Sequence, residues 1–195
     1  MLIATDCFLP RWDGISRFLS EVIPSLSQEY DLTIIAPDFG KHAQSFDVKI
    51  VKFPTYKWMV GDIKIARPDI SKIGRLVSDA DIIFNQTLGP IGIHAVRRAI
   101  RCKKPVIAYI HSIDWELFSK SIKHGSGLVR WATRAYQRKV YNKCQLLLVS
   151  SEETSRLFDE SGITTKKKVV HLGVNITRFC PPQFKDKAKR DVGLN

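Results

Sequence analysis

The chain has 195 residues, 44% of them hydrophobic and 26% charged, and its 31 Lys and Arg against 19 Asp and Glu leave a formal charge of +12. That apolar fraction excludes a disordered chain, and 11 Gly with 9 Pro exclude low-complexity sequence, so one globular domain, or one and a fraction, is expected. The charge predicts acidic partners: nucleic acid, anionic lipid or phosphorylated small molecules.

No apolar run approaches the roughly 20 residues of a membrane-spanning helix, and the opening MLIATD carries an acid where a signal peptide needs basic residues. Cys7, Cys102, Cys144 and Cys180 lack any CxxC or metal spacing and read as free thiols of a reducing compartment. A cytoplasmic protein is therefore expected, with peripheral attachment to the inner face of a membrane as its membrane-linked form.

Short β-branched-rich runs, apolar on both faces, predict strands at Leu2 to Thr5, Leu32 to Ala36, Val48 to Phe53, Asp81 to Phe84, Val106 to Ile110, Leu146 to Val149 and Val169 to Leu172. Between them, Ile15, Phe18, Leu19, Val22, Ile23 and Leu26 keep helical spacing, with a kink expected at Pro24. Ile70, Ile73, Leu76 and Val77 repeat that spacing, and further helices are expected over Gly92 to Arg101, Leu128 to Tyr141 and Glu152 to Glu160. Ser150 or Ser151 would cap the last at its start and Gly162 at its end. The alternation predicts a doubly wound, mostly parallel α/β sheet of the Rossmann type, with ligands beyond the C-terminal ends of its strands. Residues 1–179 read as that domain, and 180–195, opening CPPQFK, as a linker toward a domain not present.

Four places carry candidate chemistry. The first strand runs through TDCFLPRWDGIS into a helix, so Asp13 and Gly14 stand at a helix N-terminus, a natural anion site as well as an ordinary capped turn. The absence of GxGxxG counts against NAD or FAD, and no GxxxxGK[ST] is present. His111 follows a buried strand directly, with Ser112, Asp114 and Glu116 close behind. At that edge an imidazole can bond a substrate hydroxyl or move a proton, although a lone histidine is also often structural. His42, His94, His124 and His171 have no such context, and no pair has zinc spacing, so no metal is expected.

Between Glu116 and Glu152 there is no acid, while Lys120, Lys123, Arg130, Arg134, Arg138, Lys139 and Lys143 all fall there. On a helical wheel Arg130, Arg134, Arg138, Trp131 and Tyr141 share one half, and Val129, Ala132, Tyr136 and Val140 the core half. The first half reads as a solvated face or as a surface for anionic headgroups or nucleic-acid phosphates. PTYKWMVGDIKIARP, with Lys57 and Trp58, reads as an exposed interfacial loop or a buried one, and GSG at 125–127 as a flexible loop.

These segments, taken in order, resemble the N-terminal domain of the retaining glycosyltransferases of the group 1, or family 4, type. TDCFLPRWDGISRFLSEVIPSL is similar to that family's opening strand, glycine loop and first helix, LGPIGIHAVRRAIRCKKPVIAYIHSID to its central stretch, and SSEETSRLFDESGI with KVVHLGVNITRFCPP to its closing block. The resemblance implies two Rossmann-like domains facing a cleft, the GT-B architecture, and sugar transfer from a nucleotide sugar with retention and without metal or other cofactor. It also implies His111 beside the transferred sugar, and Asp13, Gly14, Ser112 and Asp114 in substrate binding, with Asp13 in place of a first glycine and Asn175 in place of a frequent aspartate.

The single loop glycine, the Tyr- and Pro-rich stretch near 54–68 and GPIG are similar to members that glycosylate membrane lipids. The resemblance thus implies a lipid, polyprenyl-linked or glycan acceptor, with a mannosyltransferase-like member of glycolipid biosynthesis favoured. Arg130, Trp131, Arg134, Arg138, Lys57 and Trp58 would form the membrane or acceptor face. Donor-side glutamates belong to the second domain, so this chain alone is expected to be inactive. A basic nucleic-acid-binding module explains the charge equally but not the ordered motifs, so no specific nucleic acid is expected; an epimerase or dehydrogenase would need a YxxxK that is absent.

Overall fold

In the computed structural model the described residues are 1–41, 45–60, 63–116, 126–173, 176, 181, 184, 189–190 and 193, with Trp58, Val60, Ile63 and Ser126 described by backbone alone. The double-sided apolar runs become seven parallel strands: β1 (Leu2–Ala4), β2 (Thr33–Pro37), β3 (Lys49–Phe53), β6 (Ile83–Asn85), β7 (Val106–Ile110), β8 (Leu146–Val149) and β9 (Lys167–Val169). Their order is β3-β2-β1-β6-β7-β8-β9. The chain winds outward from β1 to β3, then returns to β6 on the other side of β1. That reversal opens a crevice at the carboxyl ends of β1 and β6.

Successive strand residues serve opposite faces. Leu2, Ala4, Ile35, Ala108 and Val149 pack beneath α2 (Ile70–Asp79), α3 (Pro90–Arg101), α4 (Ser126–Tyr141) and α5 (Glu152–Glu160), while Ile3, Ile34, Phe84 and Tyr109 pack with Leu19 and Ile23 of α1 (Gly14–Glu29). α1 continues through Pro24, whose ring faces solvent. Asp13 caps α1 through Ser16 N, Asp69 caps α2 through Lys72 N, and Ser151 caps α5 through Thr154 N. Gly162 follows α5 at φ +77°, the left-handed conformation that glycine adopts freely.

Three elements depart from expectation. β4 (Thr55–Val60) and β5 (Ile63–Ala66) form an antiparallel pair where a loop was expected. Ser126 and Gly127 belong to α4, whereas Gly125 lies outside the described residues. The last strand runs over Lys167–Val169 instead of Val169 to Leu172, sharing only Val169 with the expectation: Lys167 points its ammonium to Asp159 Oδ1 at 2.7 Å and to the Thr165 carbonyl at 3.0 Å, so a lysine is tolerated, while Leu172 is exposed beyond the strand. The linker expected from 180 onward, and Asn175, fall largely or wholly outside the described residues, as do His42, Lys120, Lys123 and His124.

GPIG has a packing reason. A Cβ on Gly89 would stand 2.5 Å from Asp6 Cγ, and one on Gly92 would stand 1.9 Å from the Thr87 carbonyl oxygen. Gly92→Ala should therefore destabilise the fold by about 3 kcal/mol or prevent folding, because backbone must move to admit the methyl. Gly127→Ala, in α4 with open space around it, should be neutral or stabilise by up to about 1 kcal/mol. Urea unfolding of the two variants against the parent checks both signs.

Candidate functional site

The crevice at the β1–β6 reversal is closed from below by strand ends and from the sides by helices, leaving a cavity of about 320 Å³. Gln86 and Thr87 follow β6, His111 and Ser112 follow β7, and Tyr136, Gln137 and Tyr141 reach in from α4. Lys64, Ile65 and Ala66 of β5 form a further wall, so the stretch expected as an interfacial loop also encloses the cavity.

Asp6, just beyond β1, organises the floor. Its Oδ1 accepts from Ile91 N at 2.8 Å and its Oδ2 from Gly92 N at 3.1 Å and Thr87 Oγ1 at 2.7 Å, while Asp6 N donates back to Thr87 Oγ1 at 2.8 Å. The carboxylate thus occupies the positive N-terminus of α3. Burial pushes its pKa up, opposed by Thr87 and by the backbone N–H groups of Ile91, Gly92 and Gly89.

His111 lies where the sequence predicts, on the crevice side of β7. A ring nitrogen, Nε2, is 2.9 Å from Gln86 Oε1, and the ring stacks on Tyr109 at 4.6 Å and meets the edge of Phe18 at 5.1 Å. Burial pushes the imidazole down to about 4, opposed by the Asp13 carboxylate, so it is neutral near pH 7 and can exchange hydrogen bonds without carrying charge. Asp114 is also brought to the cavity: its oxygens accept from Ser112 Oγ and Gln137 Nε2, each at 2.6 Å. Burial raises its pKa, and both hydrogen bonds oppose that rise.

Three buried polar atoms of cavity residues have no hydrogen-bond partner among the described residues: Gln86 Nε2, Tyr136 Oη and Gln137 Oε1. A buried unpaired amide or hydroxyl costs about 1–3 kcal/mol, and here each sits on a residue that lines one cavity. A polyhydroxylated ligand has the donors and acceptors to satisfy them. The sequence reading missed Tyr136 and Gln137 as site residues, because the wheel turned α4 too far toward Val129 and Ala132. The buried arc runs through Val140, Gln137 and Tyr141, Ala132 is exposed, and Tyr141 packs on Phe158 with centroids 6.0 Å apart. Asp6, Gln86 and Thr87 were missed too, although an acid and an NQT triplet at strand ends beside GPIG were available signals.

Gly14 sits apart from this floor. It borders a neighbouring groove of about 570 Å³ with Arg17, Phe18 and Gly173, and nothing lies within 4 Å of where its Cβ would be. Asp13 is committed to Ser16 N at 2.8 Å and to Arg11 Nε at 3.0 Å. Two arginines of α4 have partners as well: Arg130 meets Glu116 at 3.5 Å and Arg134 donates to the Glu160 carbonyl at 3.0 Å, while the exposed Arg138 passes beside Gly162. Trp131 is 68% and Leu128 71% exposed, and Lys57 is exposed, while the Trp58 side chain lies outside the described residues. Among the described residues no cluster of three His, Cys, Asp or Glu has metal-binding geometry. No described helix is long and apolar enough to cross a membrane.

A Rossmann-like parallel sheet with a largely apolar cavity at its topological reversal, into which a few polar side chains converge, is the architecture of a ligand-binding α/β domain. Residues 12–178 match Glycosyltransferase Family 4, and the chain belongs to that family. Over its whole length it is 24% identical to half, 50%, of a GDP-mannose-dependent alpha-(1-6)-phosphatidylinositol monomannoside mannosyltransferase of Mycolicibacterium smegmatis. The chain thus spans about half the length of that relative. Its fold is similar to a glycosyltransferase from Rickettsia africae, with a TM-score of 0.61 at 14% identity, covering 100% of this chain and 49% of that one. A sucrose-phosphate synthase structure from Thermosynechococcus elongatus matches with a TM-score of 0.50 at 8% identity, over 89% of this chain and 88% of that one.

The imidazole's environment makes stability depend on pH. With a folded pKa near 4 and an ordinary value of 6.5, the unfolded chain takes up a proton first as pH falls. The stability that neutral His111 contributes is therefore present above pH 6.5 and is lost, to the extent of about 3 kcal/mol, by about pH 4. Unfolding free energies measured across that window should fall less steeply in His111→Gln than in the parent.

Proposed function

We propose that this chain is the acceptor-binding half of a retaining GT-B glycosyltransferase that moves a sugar from a nucleotide sugar to a lipid or lipid-linked acceptor. The observation that carries the reading is the cavity at the β1–β6 reversal, where Gln86, Tyr136 and Gln137 present unpartnered polar atoms beside His111 and Asp114. Family membership supplies the reaction class, and the mannosyltransferase relative supports a glycolipid acceptor and a mannose-type donor.

In this reading acceptor hydroxyls enter the cavity and bond Tyr136 Oη, Gln137 Oε1 and Gln86 Nε2. Neutral His111, held by Gln86, faces the transferred sugar and bonds one of its hydroxyls without adding positive charge to the site. Asp114 with Ser112 orients an acceptor hydroxyl. Asp13 acts mainly through its cap, keeping the α1 N-terminus in place so that the bare backbone at Gly14 admits the donor diphosphate or the acceptor. The nucleotide sugar is co-substrate, and no metal or other cofactor enters the proposal.

Residues 1–179 would form this domain and 180–195 the start of a linker to a donor-binding domain. Charge on the departing diphosphate is balanced there, so the chain by itself binds acceptor and transfers nothing. A location on the cytoplasmic face of a membrane suits a sugar-nucleotide donor and a lipid acceptor. The exposed Leu128 and Trp131, with Arg130 and Lys57 beside headgroups, support such a contact.

Tyr136→Phe removes a hydroxyl that has no hydrogen-bond partner among the described residues, so it should leave unfolding unchanged while weakening binding of phosphatidylinositol monomannoside in mixed micelles about three- to tenfold. Equal binding by parent and variant would show that the cavity does not take the acceptor. Mixing the chain with GDP-mannose and that acceptor should give bound acceptor and no transferred mannose; transfer by the chain alone would overturn the division of labour.

A further inference from the structure

On the flank of the sheet away from α1, the helices α2 and α3 pack side by side and leave a groove of about 460 Å³ between them. Arg75 enters it from α2 and Arg97, Arg98 and Arg101 from α3, with His94 one turn nearer the crevice and no acid in its lining. We infer that this groove is a second binding site, separate from the acceptor cavity, that takes the phosphate groups of a phosphorylated ligand.

The arginines are not explained by the fold. Arg98 and Arg101 lie in the last turn of α3, where positive charge complements the helix dipole, but Arg75 and Arg97 lie within their helices, where the dipole offers little. Arg97 and Arg101 are four residues apart on one helix face, a like-charge spacing that costs stability until an anion intervenes. Among the described residues no ion pair holds any of the four. Asp79 stands one turn beyond Arg75 but makes no ion pair with it.

The groove is also prepared. Arg98 Nη2 donates to Ser78 Oγ at 3.0 Å, fixing the guanidinium across the groove, and the Arg97 guanidinium rests 5.6 Å over the Tyr136 ring. Ser71 contributes a hydroxyl at the rim. Gly74 forms the floor in mid-helix, where glycine costs roughly 0.5–1 kcal/mol relative to alanine. A Cβ there would meet only the Arg98 side chain, at 3.8 Å, so packing within the fold does not demand the glycine. Burial and then the Arg97 charge lower the His94 pKa, in keeping with a strongly positive groove. Guanidinium groups on two facing helices suit phosphate oxygens, which accept paired N–H donors.

The phosphate has two possible sources, a soluble phosphorylated molecule or a lipid headgroup, and one experiment separates them. The chain is titrated by calorimetry with inorganic pyrophosphate, and its sedimentation is followed with vesicles of phosphatidylcholine alone and of equimolar phosphatidylcholine and phosphatidylglycerol. Each is repeated with Arg75→Gln/Arg101→Gln and with a control of equal charge change, Lys49→Gln/Lys139→Gln. All four side chains are exposed and hold no described bond, and circular dichroism verifies folding.

Pyrophosphate binding weakened about tenfold or more by the groove pair and not by the control supports the site with a soluble ligand. The same pattern with anionic vesicles only supports it with a headgroup. Absence of binding to both probes, or equal weakening by groove and control pairs, overturns it.

Discussion

Everything at the crevice hangs on one interaction, the Asp6 carboxylate lodged on the N-terminus of α3. It joins the end of β1 to the end of β6 through Thr87, and both to α3 through Ile91 N and Gly92 N. The contact sits at the point where the winding of the sheet reverses, where the connections leaving two neighbouring strands run in opposite directions. A desolvated carboxylate there is tolerable because backbone donors and the helix dipole face it. The two glycines of GPIG are consequences, since one makes way for the carboxylate and the other for the Thr87 carbonyl.

The same logic distributes charge over the domain. Three helix N-termini are answered by the protein's own carboxylates, Asp13 on α1, Asp6 on α3 and Asp69 on α2. Their anion-binding tendency is therefore largely consumed by the fold, apart from the first backbone groups at Gly14. Positive charge without an internal counterpart is left to side chains on the flank, the arginines of α2 and α3 above all. Of the arginines of α4, Arg130 is instead met by Glu116 and Arg134 by the Glu160 carbonyl.

His111 shows how architecture converts a residue into a chemical group. Its position after β7 makes it face the crevice, and aromatic contacts with Phe18 and Tyr109 desolvate it into a neutral imidazole. Gln86, from the neighbouring strand end, fixes its orientation. Asp114 follows the same pattern with two donors of its own, and the neighbouring Gln137 and Tyr136 each carry a buried polar atom with no partner among the described residues.

The seven strands of the parallel sheet, the helices α1 to α5, the caps at Ser151 and Gly162 and the placement of His111 were legible in the sequence, because each follows from local periodicity or from a residue's own backbone preference. The pairing of β4 with β5, the inward turn of Tyr141 and the roles of Asp6, Gln137 and Tyr136 were not. These depend on which elements meet: α5 covers the end of α4, β5 closes the cavity, and an acid at one strand end reaches a helix eighty-five residues later. The sequence by itself determined a basic, doubly wound domain with its histidine at a strand's carboxyl end, since hydrophobic period and the alternation of strand and helix are written locally. Only the tertiary structure decided the order of the strands and which charges are spent within the fold, because pairing and desolvation are properties of neighbours in space.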